Sequence, residues 1–252
     1  MSIPVHNTPP DSRTNYILPQ LAGEKITFPG WNGIFSILAS AKQTNGGLAV
    51  KAGVSVLSDP PGFHWQEEAH DVFLVIKGSL KDKFDVHCVH DYPPPEFSDW
   101  LETENKLGEP LQPYYLRANT GPRWMAGGLL SRPFILASQN GGSITESYMK
   151  FANVDHCLFV VEGKLKVEIE GSSGENVLRD RETVVISAGQ GFKLDFASPF
   201  VKIFSVANGR GIETLIQQVG KPFEGFVLPD KVEEVDFDKL ARVAKEIGVT
   251  IE

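Results

Sequence analysis

Three polar side chains in the first half of the chain have the spacing of a small-molecule site. His64 and Gln66 lie two positions apart, and Asp71 follows shortly after them. In a β-strand, residues i and i+2 point to the same face, so His64 and Gln66 are expected to project together, with Asp71 approaching from a paired strand. One imidazole with oxygen ligands suits a divalent iron, manganese, nickel or zinc ion and leaves positions open for substrate or dioxygen. The same residues can instead act on a substrate directly, by acid–base chemistry.

The elements that position these residues are short and rich in apolar residues, and 24 glycines and 17 prolines separate them. Short apolar segments with Gly, Pro, Asn and Asp between them predict an all-β sandwich or barrel rather than βαβ units. One helix is predicted near the end of the chain, because Val235 to Ile247 has apolar residues at helical spacing and Gly248 can close it. The predicted strands are Ile34 to Leu38, Leu48 to Leu57, Val72 to Ile76, Leu158 to Val161, Leu165 to Ile169, Thr183 to Ile186 and Phe200 to Val206.

Internal similarity relates the two halves of the chain. Three segments recur in the same order, which predicts a two-copy duplication. The pairs are Phe35-Ser-Ile-Leu-Ala-Ser40 with Phe134-Ile-Leu-Ala-Ser138, Asn45-Gly-Gly47 with Asn140-Gly-Gly142, and the segment from Asp71 to Gly78 with the segment from His156 to Gly163. In this third pair, each copy has an ionisable residue, then an apolar strand, then a glycine seven positions after the ionisable residue.

The length of 252 residues fits two domains of roughly 100 to 150 residues each. We expect an N-terminal domain with its arm at residues 1–105 and a C-terminal domain with the terminal helix at residues 106–252. The division falls within residues 91–113, where three consecutive prolines, several acids and Gly108 have the composition of a linker or long loop.

The segment from Gly62 to Gly78 resembles the first cupin motif, which is H-x-H, then Glu, then Gly. His64 and Gly78 match this motif, Gln66 stands in place of its second histidine and Asp71 in place of its glutamate. Together with Gly121-Pro-Arg-Trp-Met-Ala-Gly-Gly128, the segment makes the chain similar to the fungal bicupin family that includes quercetin dioxygenases.

The resemblance implies two cupin barrels, each a double-stranded β-helix of jelly-roll type, and secondary-metabolite chemistry on an aromatic or polyketide-like substrate. It implies one divalent metal (Fe, Mn, Ni or Zn) on His64, Gln66 and Asp71 in the first barrel. The aromatic residues Trp65 and Phe73 of the same segment are candidates for substrate contact. The family's last histidine ligand belongs to a second motif that this half lacks, and His87 or His90 could replace it.

The second half departs further from the same motif. Relative to Gly163, Met149 and Phe151 stand at the H-x-H positions, Phe192 stands at the last histidine and His156 replaces the acid. Because thioether and phenyl groups are not ligands of these metals, we expect no metal in this half. The three apolar residues predict a hydrophobic core or an apolar substrate pocket around one imidazole. His156 is then either a core histidine or a catalytic residue.

Composition and charge argue against several partners and cellular locations. A net charge of −8 and a pI near 5.3 argue against nucleic acid or an anionic membrane surface as a partner. The sequence has no apolar stretch of membrane-spanning length, and residues 1–19 lack a secretory pattern. The two cysteines, Cys88 and Cys157, are expected to be reduced thiols. We therefore expect a cytoplasmic protein with a small-molecule substrate, and exposed barrel edges favour a homodimer.

Three function classes follow from these residues. The first is an atypical or metal-independent cupin enzyme, a cyclase, isomerase or lyase that acts by positioning and acid–base chemistry. The second is a metal-dependent, quercetinase-like dioxygenase. The third is a non-catalytic bicupin that binds a small molecule. The first class is favoured because the chain replaces family ligands in both halves.

Overall fold

The computed structural model describes residues 2–27, 33–44, 47–54, 74, 76, 80–81, 87–88, 122–132, 134–139, 141–224 and 234–252. The chain divides into two compact units, one made of Met1–Ser55 with Arg123–Glu252 and the other of Val56–Pro122. The predicted boundary between residues 105 and 106 lies outside the described residues and stays a prediction.

The described residues form antiparallel β-sheets and two short helices, which confirms the all-β prediction. The first strands are β1 (Tyr16–Leu18), β2 (Glu24–Ile26), β3 (Ile34–Ala39), β4 (Val50–Val54), β5 (Leu80–Lys81), β6 (His87–Cys88), β7 (Trp124–Ala126), β8 (Leu129–Arg132) and β9 (Ile135–Gln139). The others are β10 (Met149–Phe151), β11 (His156–Glu162), β12 (Leu165–Ile169), β13 (Asn176–Leu178), β14 (Thr183–Ile186), β15 (Gly191–Phe196), β16 (Phe200–Ala207), β17 (Lys221–Pro222) and β18 (Val249–Ile251). The helices are α1 (Ile212–Val219) and α2 (Phe237–Ile247).

Strands β9 to β16 make a jelly roll of the cupin type. β12 pairs with β13, β11 with β14, β10 with β15 and β9 with β16, all antiparallel. Successive pairs alternate between an eight-stranded sheet, ordered β1-β14-β11-β16-β9-β8-β7-β17, and a five-stranded sheet, ordered β13-β12-β15-β10-β18. A long hairpin wound in this way into two sheets is a double-stranded β-helix, whose lumen lies between the sheets.

Side-chain alternation sets the lumen of this barrel. On β12, Leu165, Val167 and Ile169 are buried and the intervening Lys166 and Glu168 are partly exposed, as expected for a strand with one face in the core. On β11, by contrast, His156 and Leu158 face the lumen, while Cys157 packs on the other face of the sheet. Burial on both faces explains why β11 is an almost continuous apolar run.

The N-terminal segment packs on this same barrel. Tyr16 and Leu18 are fully buried against the outer face of β11 and β14, together with residues of β3 and β4. β1 pairs with β14, and the Tyr16 hydroxyl donates to the carbonyl of Leu38 at 2.7 Å. The first recurring segment falls on β3 in one copy and on β9 in the other. The second and third pairs involve residues outside the described ones, so the duplication stays a prediction.

The C-terminal helix α2 is confirmed. Asp236 is its N-cap, whose Oδ1 accepts from the backbone N–H of Lys239 at 2.9 Å, and Gly248 ends the helix at φ 75°. α1 was not predicted. No helix that the structure describes has the length and apolar character needed to cross a membrane.

Candidate functional site

The first-half constellation falls outside the described residues. His64, Gln66, Asp71 and the substrate-contact candidates Trp65 and Phe73 are all in that part of the chain, as is His90. His87 lies on β6, but its side chain is not described. The roles assigned to these residues therefore stay predictions.

The four residues at the motif positions of the second half lie together in the lumen of the barrel formed by β9 to β16. Met149 and Phe151 lie on β10, His156 begins β11, and Phe192 lies on β15 opposite Met149. The His156 ring centroid lies 4.6 Å from that of Phe151 and 5.2 Å from that of Phe192, and the two phenyl rings stack at 5.8 Å. Each of the four side chains is at most 2% exposed. This part of the lumen is therefore a closed apolar packing around one imidazole.

This donor set does not fit a metal. One imidazole, one thioether and two phenyl groups cannot supply the nitrogen and oxygen ligands that divalent iron, manganese, nickel or zinc requires. Elsewhere in the described residues, no three His, Cys, Asp or Glu side chains are grouped so that they could hold an ion.

The hydrogen bonds of His156 identify its protonation state. Its Nε2 accepts from the backbone N–H of Ile212, the first residue of α1, at 3.3 Å, so the network assigns the ring proton to Nδ1. Burial lowers the pKa of His156 to about 4, against smaller raising effects of the Asp155 charge and the Val154 backbone. The imidazole is therefore neutral near pH 7, and its Nδ1 has no hydrogen-bond partner of good geometry among the described residues.

A carboxyl group lies next to this imidazole, across Gly211. A Cβ added to Gly211 would lie 2.9 Å from His156 Nε2 and 2.9 Å from Glu213 Oε2. The φ of Gly211 is −86°, which any residue can adopt, so the position requires glycine for space and not for backbone conformation. Gly211 thus allows the imidazole and the carboxyl group to approach one another.

Burial also sets the protonation of Glu213. It raises the pKa of the carboxyl group, and the Ser205 hydroxyl and the residue's own backbone N–H offset part of this effect. Part of the Glu213 side chain reaches the surface, whereas its Oε1 is fully buried. Neither Oε1 nor Ser205 Oγ has a hydrogen-bond partner of good geometry in the described part of the chain. Unpaired buried polar atoms are rare and call for a functional or structural explanation.

Asp155, the residue before His156, is held by several hydrogen bonds. Its carboxylate is fully buried and accepts from Arg13 Nη2 at 2.8 Å, from the backbone N–H of Ala188 at 2.8 Å and from Asn208 Nδ2 at 2.8 Å. These bonds join the N-terminal arm, the β14–β15 turn and the end of β16 at the residue that precedes His156. The position of the imidazole is therefore fixed from several directions.

The sequence indicated His156 as a candidate site residue but gave no role to Glu213, Ser205 or Gly211. An acid in the first turn is common in any helix, since it complements the helix dipole, and a serine within a strand is equally ordinary. The Gly209-Arg-Gly211 turn that precedes α1 was the one available signal that the chain passes close to another element there.

Comparisons with known proteins give structural likenesses alone. No family model matches the chain, and no curated protein matches its sequence. A sugar phosphate isomerase of the cupin superfamily from Silicibacter pomeroyi aligns at TM-score 0.29 and 15% identity over 32% of this chain and 59% of that one. The Cnp3 cupin domain of Schizosaccharomyces pombe aligns at TM-score 0.25 and 9% identity over 29% and 51%. KdgF from Halomonas sp. aligns at TM-score 0.27 and 17% identity over 33% and 83%.

The alignments span about three fifths of the isomerase and half of the Cnp3 structure. At these TM-scores the likenesses carry no argument about what this chain does.

Proposed function

We propose that the chain is a cupin-fold enzyme that acts on an apolar small molecule by metal-independent acid–base chemistry, with His156 and Glu213 as the reacting pair. The observation that supports this is the approach of the two side chains across Gly211. Their surroundings favour a neutral imidazole and a neutral carboxylic acid, so one can accept a proton while the other donates one. The aromatic or polyketide-like substrate and the cyclase, isomerase or lyase reaction expected from the sequence belong to this proposal.

The apolar surroundings suit this chemistry. Phe151 and Phe192 exclude water from His156, and an isolated charge would be strongly disfavoured beside them. Proton transfers at the two groups would create an imidazolium and a carboxylate as neighbours, whose opposite charges compensate one another. The Asp155 charge and the Val154 backbone both favour the imidazolium, so the site stabilises the charge that the reaction would develop.

Substrate entry requires movement of the turn between β16 and α1. The space at Gly211 is too narrow even for a methyl group, since a Cβ there would also lie 2.6 Å from that of Ala207. Gly209 and Gly211 flank the exposed Arg210, and two glycines give this turn unusual backbone freedom. Outward movement of the turn would release Nε2 from the Ile212 N–H and open the site beside Glu213.

The proposal is tested with 2-naphthol as the probe, on protein freed of metal with EDTA. Exchange of the probe's C1 hydrogen in D₂O, followed by proton NMR, reports acid–base catalysis on an apolar molecule. We expect exchange above the buffer rate and a loss of roughly 10² to 10⁴ in His156→Gln, the usual contribution of a positioned acid or base. His6→Gln, which changes a histidine outside the lumen, is the matched control and should leave the rate unchanged.

Two outcomes would overturn this assignment. Exchange that survives in His156→Gln but disappears in His64→Ala would place the chemistry at His64, Gln66 and Asp71. Absence of exchange in the metal-free protein, with turnover of quercetin restored by added iron, manganese or nickel, would instead favour the metal-dependent dioxygenase.

A further inference from the structure

We infer that the substrate is an uncharged carbonyl compound carrying an α-hydrogen, and that Glu213, assisted by Ser205, polarises the carbonyl oxygen while His156 moves the α-proton. This inference rests on the proposed function and adds to it a substrate class and two residue roles.

The absence of a counter-ion at the site indicates an uncharged substrate. Within the described parts of the chain, no hydrogen bond or ion pair joins a cation to His156, Ser205 or Glu213. Arg13 is already bound to Asp155, and Arg210, which neighbours Gly211, has an exposed side chain. An anionic group entering beside the buried phenyl rings would lose its hydration without gaining a partner, which is strongly unfavourable.

The arrangement of donors indicates a carbonyl oxygen. Burial raises the pKa of Glu213 and so favours its protonated form, which can donate as the Ser205 hydroxyl can, and the two groups lie together where the start of α1 meets β16. The Ser205 hydroxyl lies close enough to the Glu213 carboxyl to lower its pKa, yet neither Glu213 Oε1 nor Ser205 Oγ has a hydrogen bond of good geometry in the described part of the chain. A substrate oxygen placed between them would satisfy both groups. A neutral carboxylic acid held in an apolar site is an effective donor to a developing oxyanion or enol.

The step balances without an oxidant, a reductant or another co-reactant. Glu213 gives its proton to the carbonyl oxygen, and His156 Nε2 takes the α-hydrogen as a proton. The electron pair of the broken C–H bond forms the C=C bond of the enol. Return of a proton from His156 to the same or a conjugated carbon, and of the enol proton to Glu213, regenerates both groups and yields the exchanged or isomerised ketone.

The test uses two probes, methyl 4-acetylbenzoate and 4-acetylbenzoate, which differ by one methyl group and one negative charge, with deuterium exchange at the acetyl group measured in D₂O. We expect the wild-type protein to catalyse exchange of the ester and to leave the anion at the buffer rate. Equal exchange of both probes would overturn the uncharged class. Exchange of 2-naphthol without exchange of the ester would overturn the carbonyl class while leaving the proposed function standing.

The role of Glu213 is tested with two variants. Glu213→Leu removes the donor and should lower ester exchange by roughly 10² to 10⁴, whereas Glu213→Gln keeps a hydrogen-bond donor and should lose less. Glu146→Leu, which changes an exposed acid outside the site, is the control. Unchanged exchange in Glu213→Gln would exclude proton donation by Glu213, whether or not the leucine variant folds.

The pH profile separates a catalytic role of Glu213 from a structural one. Ester exchange should fall as the pH rises through the raised pKa of Glu213, and Ser205→Ala should move this limb to higher pH, since the hydroxyl lowers the pKa of Glu213. Other ionisable residues near α1 include His156, Asp155 and Arg210 at its start, and Lys239, which donates to the Gly220 carbonyl at its end. A limb that stays in place in Ser205→Ala would overturn the assigned assistance by Ser205.

Discussion

Arg13 in the N-terminal arm and Asp155, which immediately precedes β11, form a partly buried ion pair 142 residues apart in sequence, with Nη2 at 2.8 Å and Nε at 3.1 Å from Oδ1. Asp155 is fully buried, while the Arg13 side chain is 40% exposed. The pair therefore attaches the exposed arm to the residue that precedes the catalytic candidate His156.

Arg13→Ala should destabilise the protein by about 2 to 4 kcal/mol, because it leaves a buried carboxylate with hydrogen bonds but no counter-ion. The control is Lys42→Ala, which breaks the exposed ion pair with Asp11 and should change stability by less than about 1 kcal/mol. Urea unfolding of both variants measures the difference. Equal effects would mean that the Arg13 pair contributes no more than a surface pair.

Protonation of His156 should make the protein less stable in mild acid. Its folded-state pKa of about 4 lies below the unfolded value of 6.5, so the unfolded state takes up the proton first. The stability associated with the neutral imidazole is complete above pH 6.5 and declines as the pH falls towards 4, by about 3 kcal/mol in total. Glu213 has the opposite pH dependence, because its pKa is raised in the folded state. Its protonated form contributes to stability at low pH, and this contribution is lost as the pH rises through its folded-state pKa.

The measurement is urea unfolding of the wild type and His156→Gln at pH 7 and pH 4.5. Glutamine has no proton to take up in this range, so the wild type should lose about 2 kcal/mol more than the variant between the two pH values. Identical pH dependence in the two proteins would show that the imidazole is accessible to protons in the folded state.

Gly211→Ala should disrupt the site more than the neighbouring Gly209→Ala. The new methyl group at position 211 would press on His156, Glu213 and Ala207, whereas at position 209 its tightest contact would be 3.2 Å, to a methyl group of Val154. We expect Gly211→Ala to cost about 1 to 3 kcal/mol as an overpacked position and to abolish 2-naphthol exchange. Comparable stability and exchange in the two variants would mean that the turn adjusts freely.

Metal content should depend on the first half of the chain and not on His156. In the metal-dependent case, His64→Ala removes the best ligand and Asp71→Asn removes the anionic charge that offsets the cation, so both should lose metal and any metal-dependent turnover together. Elemental analysis of these variants and of His156→Gln makes the comparison. Two tightly bound equivalents of iron, manganese, nickel or zinc per chain would contradict a metal-free second half.

Local patterns predicted several of the strands and one of the two described helices. Leu165–Ile169 and Thr183–Ile186 have the predicted bounds, because alternation and β-branched residues are properties of a few adjacent positions. α2 was predictable for the same reason, since Asp236 and Gly248, which cap it, lie at its own ends. The motif positions Met149, Phe151, His156 and Phe192 also converge in one lumen, as the resemblance implied.

The tertiary structure alone decided α1 and the pairing at its start. Gly211 has no side chain to cap this helix, and the acceptor for the Ile212 N–H is His156, 56 positions earlier on β11. Likewise, the approach of Glu213 to His156 depends on where β16 ends beside β11 and on the space that Gly211 leaves there. Periodicity and capping signals describe neighbours along the chain. Contacts between distant strands follow from the winding of the whole barrel, and a single sequence carries no local signal for them.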